Sequence, residues 1–166
     1  MDSKNIIIQQ PQAFDLVDRK ILVAGVGVGF EGTISLYVSD GHFEVESFAM
    51  AGGTSLRQFQ AEITIPDNVN FELDRIFLIA SDDTAGCEEA PCTKVFVPLL
   101  FAPRILENYS GYWNHTVQNG ETLSSIAQHY YNDSSMWKAI YRANTNTINN
   151  PDIIFPGQNL RILRVD

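Results

Sequence analysis

An all-β sandwich followed by a smaller α+β unit of order βααβ is the fold this sequence predicts, and three observations predict it. Between residues 5 and 101, apolar and polar residues alternate with period two in short runs separated by turn signals. After residue 112 the apolar spacing lengthens to that of amphipathic helices. The charge divides at the same place: residues 1–111 carry 7 Lys+Arg against 16 Asp+Glu, and residues 112–166 carry 4 against 4. A 166-residue chain holds one ordinary domain or two small ones, and its 45% hydrophobic content is that of a globular protein.

The strands come in order along the chain. Residues 6–9 are largely aliphatic, and the run ends before Pro11. Residues 21–28 and 33–39 come next; in the second of these, Ile34, Leu36 and Val38 alternate with Ser35, Tyr37 and Ser39. Asp40-Gly41 marks a turn. Phe43, Val45 and Ser47 then alternate with Glu44, Glu46 and Phe48. Phe59, Ala61, Ile63 and Ile65 alternate with Gln60, Glu62 and Thr64 until Pro66-Asp67-Asn68 breaks the run. Residues 76–81 and 94–101 complete a set of seven, which predicts an antiparallel sandwich of immunoglobulin-like type.

One stretch, ILVAGVGVGFEG at residues 21–32, invites a phosphate-binding reading and fails it. A dinucleotide fingerprint needs G-x-G-x-x-G between a strand and a helix. Counted from Gly25, the third glycine falls on Phe30; counted from Gly27, it falls on Gly32. Residues 33–39 then alternate as a strand, so no helix N-terminus faces a pyrophosphate. Gly25, Gly27 and Gly29 instead leave one strand face bare, a place for a bulge or for another backbone to approach.

IIIQQP, then ILVAGVGVGFEGTISLYVSDG, then Phe59 and a closing VFVPLLF together resemble the Gmad2 family, immunoglobulin-like domains of bacterial spore germination. The stretch from Gly25 through Gly41 is the most specific piece, and the resemblance covers about the first hundred residues. It implies an accessory β domain without an active site, expected over residues 1–103, and transfers nothing to the AGCEEAPC loop.

A linker is expected over residues 104–111, and residues 112–166 form the second domain. Residues 113–118 read as a short strand. Leu123, Ile126, Ala127 and Tyr130 lie at i, i+3, i+4 and i+7, one stripe of a helix. Asn132-Asp133-Ser134 supplies a stop and then an N-cap for a second helix carrying Met136, Trp137, Ile140 and Tyr141. Pro151 and Pro156-Gly157 shape a return loop, and residues 159–163 close the unit as a strand.

HTVQNGETLSSIAQHYY, IYRANT and NPDIIFPGQNLRIL, in that order, are similar to LysM over its full length. One departure is Glu121, where many members carry Asp. NPDIIFPGQ also resembles the LysM of soluble bacterial proteins that pair it with a BON domain, which need not touch the cell wall. The resemblance implies binding of N-acetylglucosamine glycans such as peptidoglycan, in a groove between two loops. Carried over by position, Asn119, Gly120, Glu121, Thr122 and Leu123 form one wall and Asp152, Ile153, Ile154 and Phe155 the other. A sugar suits such a groove because pyranose C–H faces need apolar contacts while acetamido and hydroxyl groups need hydrogen-bond partners.

Simpler roles stand beside these. Leu123 opens the apolar stripe and fits a core position. Ile153 and Ile154 are adjacent, so in an extended chain only one faces inward. Asp152 fits a loop cap, and Trp137 and Tyr141, at helical spacing, are read as core.

No catalysis is expected. Cys87 and Cys92 sit among Asp83, Glu88 and Glu89, and negative neighbours oppose a thiolate. They read either as two free thiols or as a small local disulfide. Neither their spacing nor that of Asp82, Asp83, Glu88 and Glu89 fits a metal site, so no metal or cofactor is expected. The acidic first part argues against nucleic acid or anionic lipid as partner. No segment approaches the roughly 18 apolar residues of a membrane span. The expected partner is peptidoglycan or a related glycan, with a protein partner possible through the immunoglobulin-like domain, a spacer or docking module. The two resemblances imply the cell envelope. The N-terminus, which lacks the features of a signal peptide, implies the cytoplasm if taken at face value. There the alternative function is an assembly or stress-linked protein whose LysM binds a protein or small ligand.

Overall fold

The computed structural model describes residues 5–82 and 93–165; Cys87, Cys92, Asp83, Glu88 and Glu89 lie outside them. The chain divides into two compact units, Met1–Phe101 and Ala102–Asp166.

The first unit contains β1 (Ile6–Gln10), β2 (Leu16–Val17), β3 (Lys20–Gly27), β4 (Thr33–Ser39), β5 (Glu44–Met50), β6 (Arg57–Thr64), β7 (Arg75–Ser81) and β8 (Lys94–Phe101). One sheet has the order β1-β3-β6 and the other β2-β8-β7-β4-β5. Every pairing is antiparallel except that of β2 with β8. Among the described residues of this unit eight strands therefore stand where the sequence predicts seven. The addition is β2, two residues long and too short to show a period.

The core is the alternation made physical. Ile34, Leu36 and Val38 of β4, Ile76 and Leu78 of β7, and Ile21, Phe59 and Ile63 of the facing sheet are all buried. Each such side chain contributes about 2 kcal/mol relative to exposure. The bare face of β3 has a specific occupant. A Cβ on Gly25 would lie 2.7 Å from the Phe59 ring and closer still to the Ile7 carbonyl; one on Gly27 would lie 2.5 Å from Ile34 Cδ1. Gly29 comes after the strand, where a Cβ would collide with the Thr33 carbonyl at the bend into β4. The glycines are packing positions.

Asp40 closes the β4–β5 turn. Its Oδ1 accepts from the backbone N–H groups of His42 and Phe43, both at 2.9 Å, and its Oδ2 from those of Glu72 and Leu73. Burial pushes this carboxyl up, but the four donors outweigh it and hold it below the usual carboxylate range.

The second unit contains α1 (Ala102–Ile105), β9 (Tyr109–Thr116), α2 (Leu123–Tyr131), a 3₁₀ turn (Ser134–Met136), α3 (Trp137–Ala143) and β10 (Asn159–Val165). β9 and β10 pair antiparallel, with Trp113 opposite Ile162 and His115 opposite Leu160. The stretch expected as linker thus holds the end of α1 and the start of β9. The predicted stop at Asn132 holds, whereas α3 itself carries no side-chain cap. Thr122 caps α2 through a reciprocal pair with Ser125, and Asn132 ends it in the left-handed region at φ 55°. Asp133 then caps the 3₁₀ turn through the Ser135 N–H.

Two side chains fasten the helices to the strands. Asn144, 2% exposed, donates to the carbonyls of Ile140 and Arg161 and accepts from the Arg161 N–H. Tyr131 donates to the Leu163 carbonyl at 2.8 Å, and burial pushes its phenol up to about 12.

Candidate functional site

Two loops and the starts of two helices border a depression of about 400 Å³ in the second unit. Its lining is Glu121, Thr122, Leu123 and Ser124 on one side, Pro151, Asp152 and Ile154 on the other, and Trp137 from α3. Volume and lining suit a small ligand with both apolar and hydrogen-bonding surfaces.

The first wall is held by a tight turn. Gly120 takes φ 83°, a left-handed conformation that favours glycine, and a Cβ there would meet nothing within 4 Å. Its role is therefore the turn. Glu121 then folds back. Its Oε2 accepts from the Gln118 N–H at 2.7 Å and lies 2.8 Å from His115 Nε2. The Gln118 N–H is the main cause of the Glu121 carboxyl lying below its usual range; partial burial opposes it and His115 adds to it. His115 Nδ1 lies 3.2 Å from the Tyr130 hydroxyl, so a chain of polar contacts runs from α2 through β9 to the groove wall. Behind it Trp113 stacks on Tyr130, with ring centres 5.5 Å apart.

The second wall is fixed by side-chain amides. Asn150 accepts from the Asp152 N–H. Gln158 accepts from the Phe155 N–H and donates to the Thr147 carbonyl, while its backbone carbonyl accepts from the Val117 N–H. The return loop is thus laced to the end of β9, beside the first wall.

Of the nine residues expected at the site, Glu121, Thr122, Leu123, Asp152 and Ile154 line the depression. Asn119, Gly120, Ile153 and Phe155 do not; Ile153 and Phe155 are 52% and 65% exposed. Leu123 is 3% exposed and belongs to the core cluster while its outer edge borders the groove. The neighbouring isoleucines split as an extended chain requires, Ile154 packing inward and Ile153 outward.

Trp137, read from the sequence as core, packs against the core and lines the groove as well. Ser124 and Pro151 also join the lining. Helical spacing puts Trp137 on the apolar stripe but is silent on whether the edge of a large ring reaches past it. The signal that finds it is position, since the first residue of α3 comes directly after the 3₁₀ turn.

No group of three His, Cys, Asp or Glu side chains is placed to hold a metal ion among the described residues, and no helix there is long and apolar enough to cross a membrane.

Comparison with known proteins identifies both units. Residues 5–81 match the immunoglobulin-like domain of bacterial spore germination (Gmad2), and residues 115–163 match the LysM domain. Both are binding-type families rather than catalytic ones, and carbohydrate or peptidoglycan binding is typical of LysM. The chain is 54% identical over 48 residues to an uncharacterized protein of Deinococcus radiodurans, covering 29% of this chain and 18% of that one. It is 42% identical over 48 residues to the potassium binding protein Kbp of Escherichia coli, covering 29% of this chain and 32% of that one. The matched stretch is therefore under a third of the length of either relative. No solved structure matches the chain.

Proposed function

We propose that the second unit binds an N-acetylglucosamine-containing glycan, peptidoglycan in the first instance, and that the chain performs no catalysis on it. The immunoglobulin-like unit serves as spacer or docking module. The observation that carries this reading is the groove lining. Trp137, Leu123, Pro151 and Ile154 offer apolar surface to a pyranose face, and Glu121, Thr122, Ser124 and Asp152 offer polar groups to its acetamido and hydroxyl substituents. The expected wall residues Asn119, Gly120, Ile153 and Phe155 flank the same loops and act by shaping them or by meeting a longer glycan. One shallow groove buries little surface, so binding is weak and gains from multiple engagement on a polymer.

The test is retention on purified peptidoglycan sacculi, comparing wild type with Ile154→Asp and Ile153→Asp. Both isoleucines lie outside the fully buried core, so both variants are expected to fold. Retention lost in Ile154→Asp and largely kept in Ile153→Asp supports the reading. Wild type that washes off at every concentration overturns it.

A second reading draws on the likeness to a protein named for potassium binding. The same unit would then take a small ligand or protein partner in the cytoplasm, with the Glu121 and Asp152 oxygens as cation donors. A potassium titration set against a sodium titration, followed by tryptophan emission, separates it from glycan binding.

A further inference from the structure

The outer face of the five-stranded sheet is apolar and charged in a pattern that pairs with itself. Backbone register sets three rows across β5, β4, β7 and β8: Glu44–Ser39–Phe77–Pro98, Glu46–Tyr37–Ile79–Phe96 and Phe48–Ser35–Ser81–Lys94. Side chains directly opposite in register share a face, so each row lies on one surface of the sheet. It is the outer surface, because the intervening Val38, Leu36, Leu78 and Ala80 are buried between the sheets. Phe48 and Phe96 are 65% and 57% exposed, Tyr37, Phe77, Ile79 and Pro98 are half-buried beside them, and Ser81 in the third row is itself buried. Soluble chains that carry a contiguous apolar face generally use it.

The charges say what covers it. Glu44 and Glu46 stand on β5 at one side of the apolar strip, and Lys94 stands on β8 at the other. A two-fold axis parallel to the strands lays β5 of one copy over β8 of the other. Tyr37 then meets the second copy's Ile79, and Phe96 meets its Glu46. Lys94 is set between that copy's Phe48 and Glu46, a cation beside both a ring and a carboxylate. An axis across the strands would instead keep β5 over β5 and β8 over β8, so that neither Glu44 nor Glu46 comes beside a Lys94. Only the first arrangement is complementary, and an isologous contact of this kind closes after two subunits.

We propose that the chain forms a two-fold homodimer through this face, sheet on sheet, with Tyr37 and Ile79 at its centre, and with Phe96 and the Glu46–Lys94 pairs at its margins. Four strands about 4.8 Å apart and about five residues at about 3.4 Å each give a footprint of about 300 Å² per copy. That is below the about 800 Å² per partner of a stable complex, so the dimer is weak and concentration-dependent. It does not rest on the ligand of the second unit. Its consequence is that two LysM units are carried by one assembly, the arrangement a shallow groove needs for avidity.

The test is sedimentation velocity of the full chain from about 1 µM to about 500 µM, the range in which a small interface assembles. Wild type is expected to shift from monomer to dimer. Phe96→Ser and Glu46→Lys should each weaken the dimer by about tenfold or more, as should Lys94→Glu, and the Glu46→Lys, Lys94→Glu double variant should recover it. These are surface changes, and circular dichroism confirms that each variant is folded. A wild type that stays monomeric throughout overturns the proposal, whether the face is bare or covered by another partner. So does a dimer that none of the three single variants weakens.

Discussion

His115 Nε2 lies 2.8 Å from the Glu121 carboxylate, joining the strand that opens the second unit to the loop that forms the first wall of its groove. The same carboxylate oxygen accepts from the Gln118 N–H at 2.7 Å, so one atom sets the shape of the turn. Glu121→Gln keeps an acceptor but removes the charge. It is expected to cost about 1 kcal/mol at neutral pH.

The pH dependence of that cost has a definite sign. The folded carboxyl lies below its ordinary value of 4.5, so its contribution is complete above that pH. It is lost as pH falls through the lower folded value. Melting of the second unit by tryptophan emission, at several pH values, should show wild type and Glu121→Gln converging in acid. Parallel curves would contradict the assignment.

Asp40 makes the same argument for the first unit with more donors. Asn at this position would aim its amide N–H group at two of the four backbone donors, and about 2 kcal/mol of destabilisation is expected. The folded carboxyl lies below its ordinary 3.8, so this advantage too is full above that pH and disappears as pH falls through the folded value. Calorimetry detects the loss; tryptophan emission does not report it directly, since Trp113 and Trp137 both belong to the second unit.

Gly25→Ala tests the packing account of the glycine run. The added methyl group meets the Phe59 ring and the Ile7 carbonyl, so β1 or the ring must shift. A cost of about 2 kcal/mol is expected in urea unfolding followed by circular dichroism. Unchanged stability would show that this face has room.

Asn144→Ala removes three hydrogen bonds from a buried junction between α3 and β10 and leaves two carbonyls and one N–H without their partner. A loss of about 3 kcal/mol is expected in the thermal unfolding of the second unit. Lowered glycan retention at temperatures below the transition is not expected, because Asn144 does not line the groove.

The sequence carries much of this, unevenly. Alternation placed Ile34, Leu36 and Val38 inside because a half-buried strand has a strict period of two. The stop at Asn132 is legible because a helix end needs particular side chains at particular positions, whereas the Thr122 cap of α2 shows only in the structure. β2 was not, since two residues have no period and its parallel pairing with β8 depends on the whole sheet. Asn144 carries no such signal, because a buried amide announces itself through the backbone groups it meets, which here include those of a distant strand. The groove was legible as two loops. Its membership was not, because Leu123, Trp137 and Ile154 each face both core and cavity, and a binary pattern assigns one side only.

The most direct test of groove binding uses Trp137 as its own reporter. In a Trp113→Phe background, Trp137 is the only tryptophan left of the chain's two. Its emission is followed while an N-acetylglucosamine oligosaccharide is added, with Ile154→Asp in the same background as the control. A saturable change in the parent that is absent in Ile154→Asp is the expected result. No change at any sugar concentration, or the same change in both proteins, would contradict glycan binding in this groove.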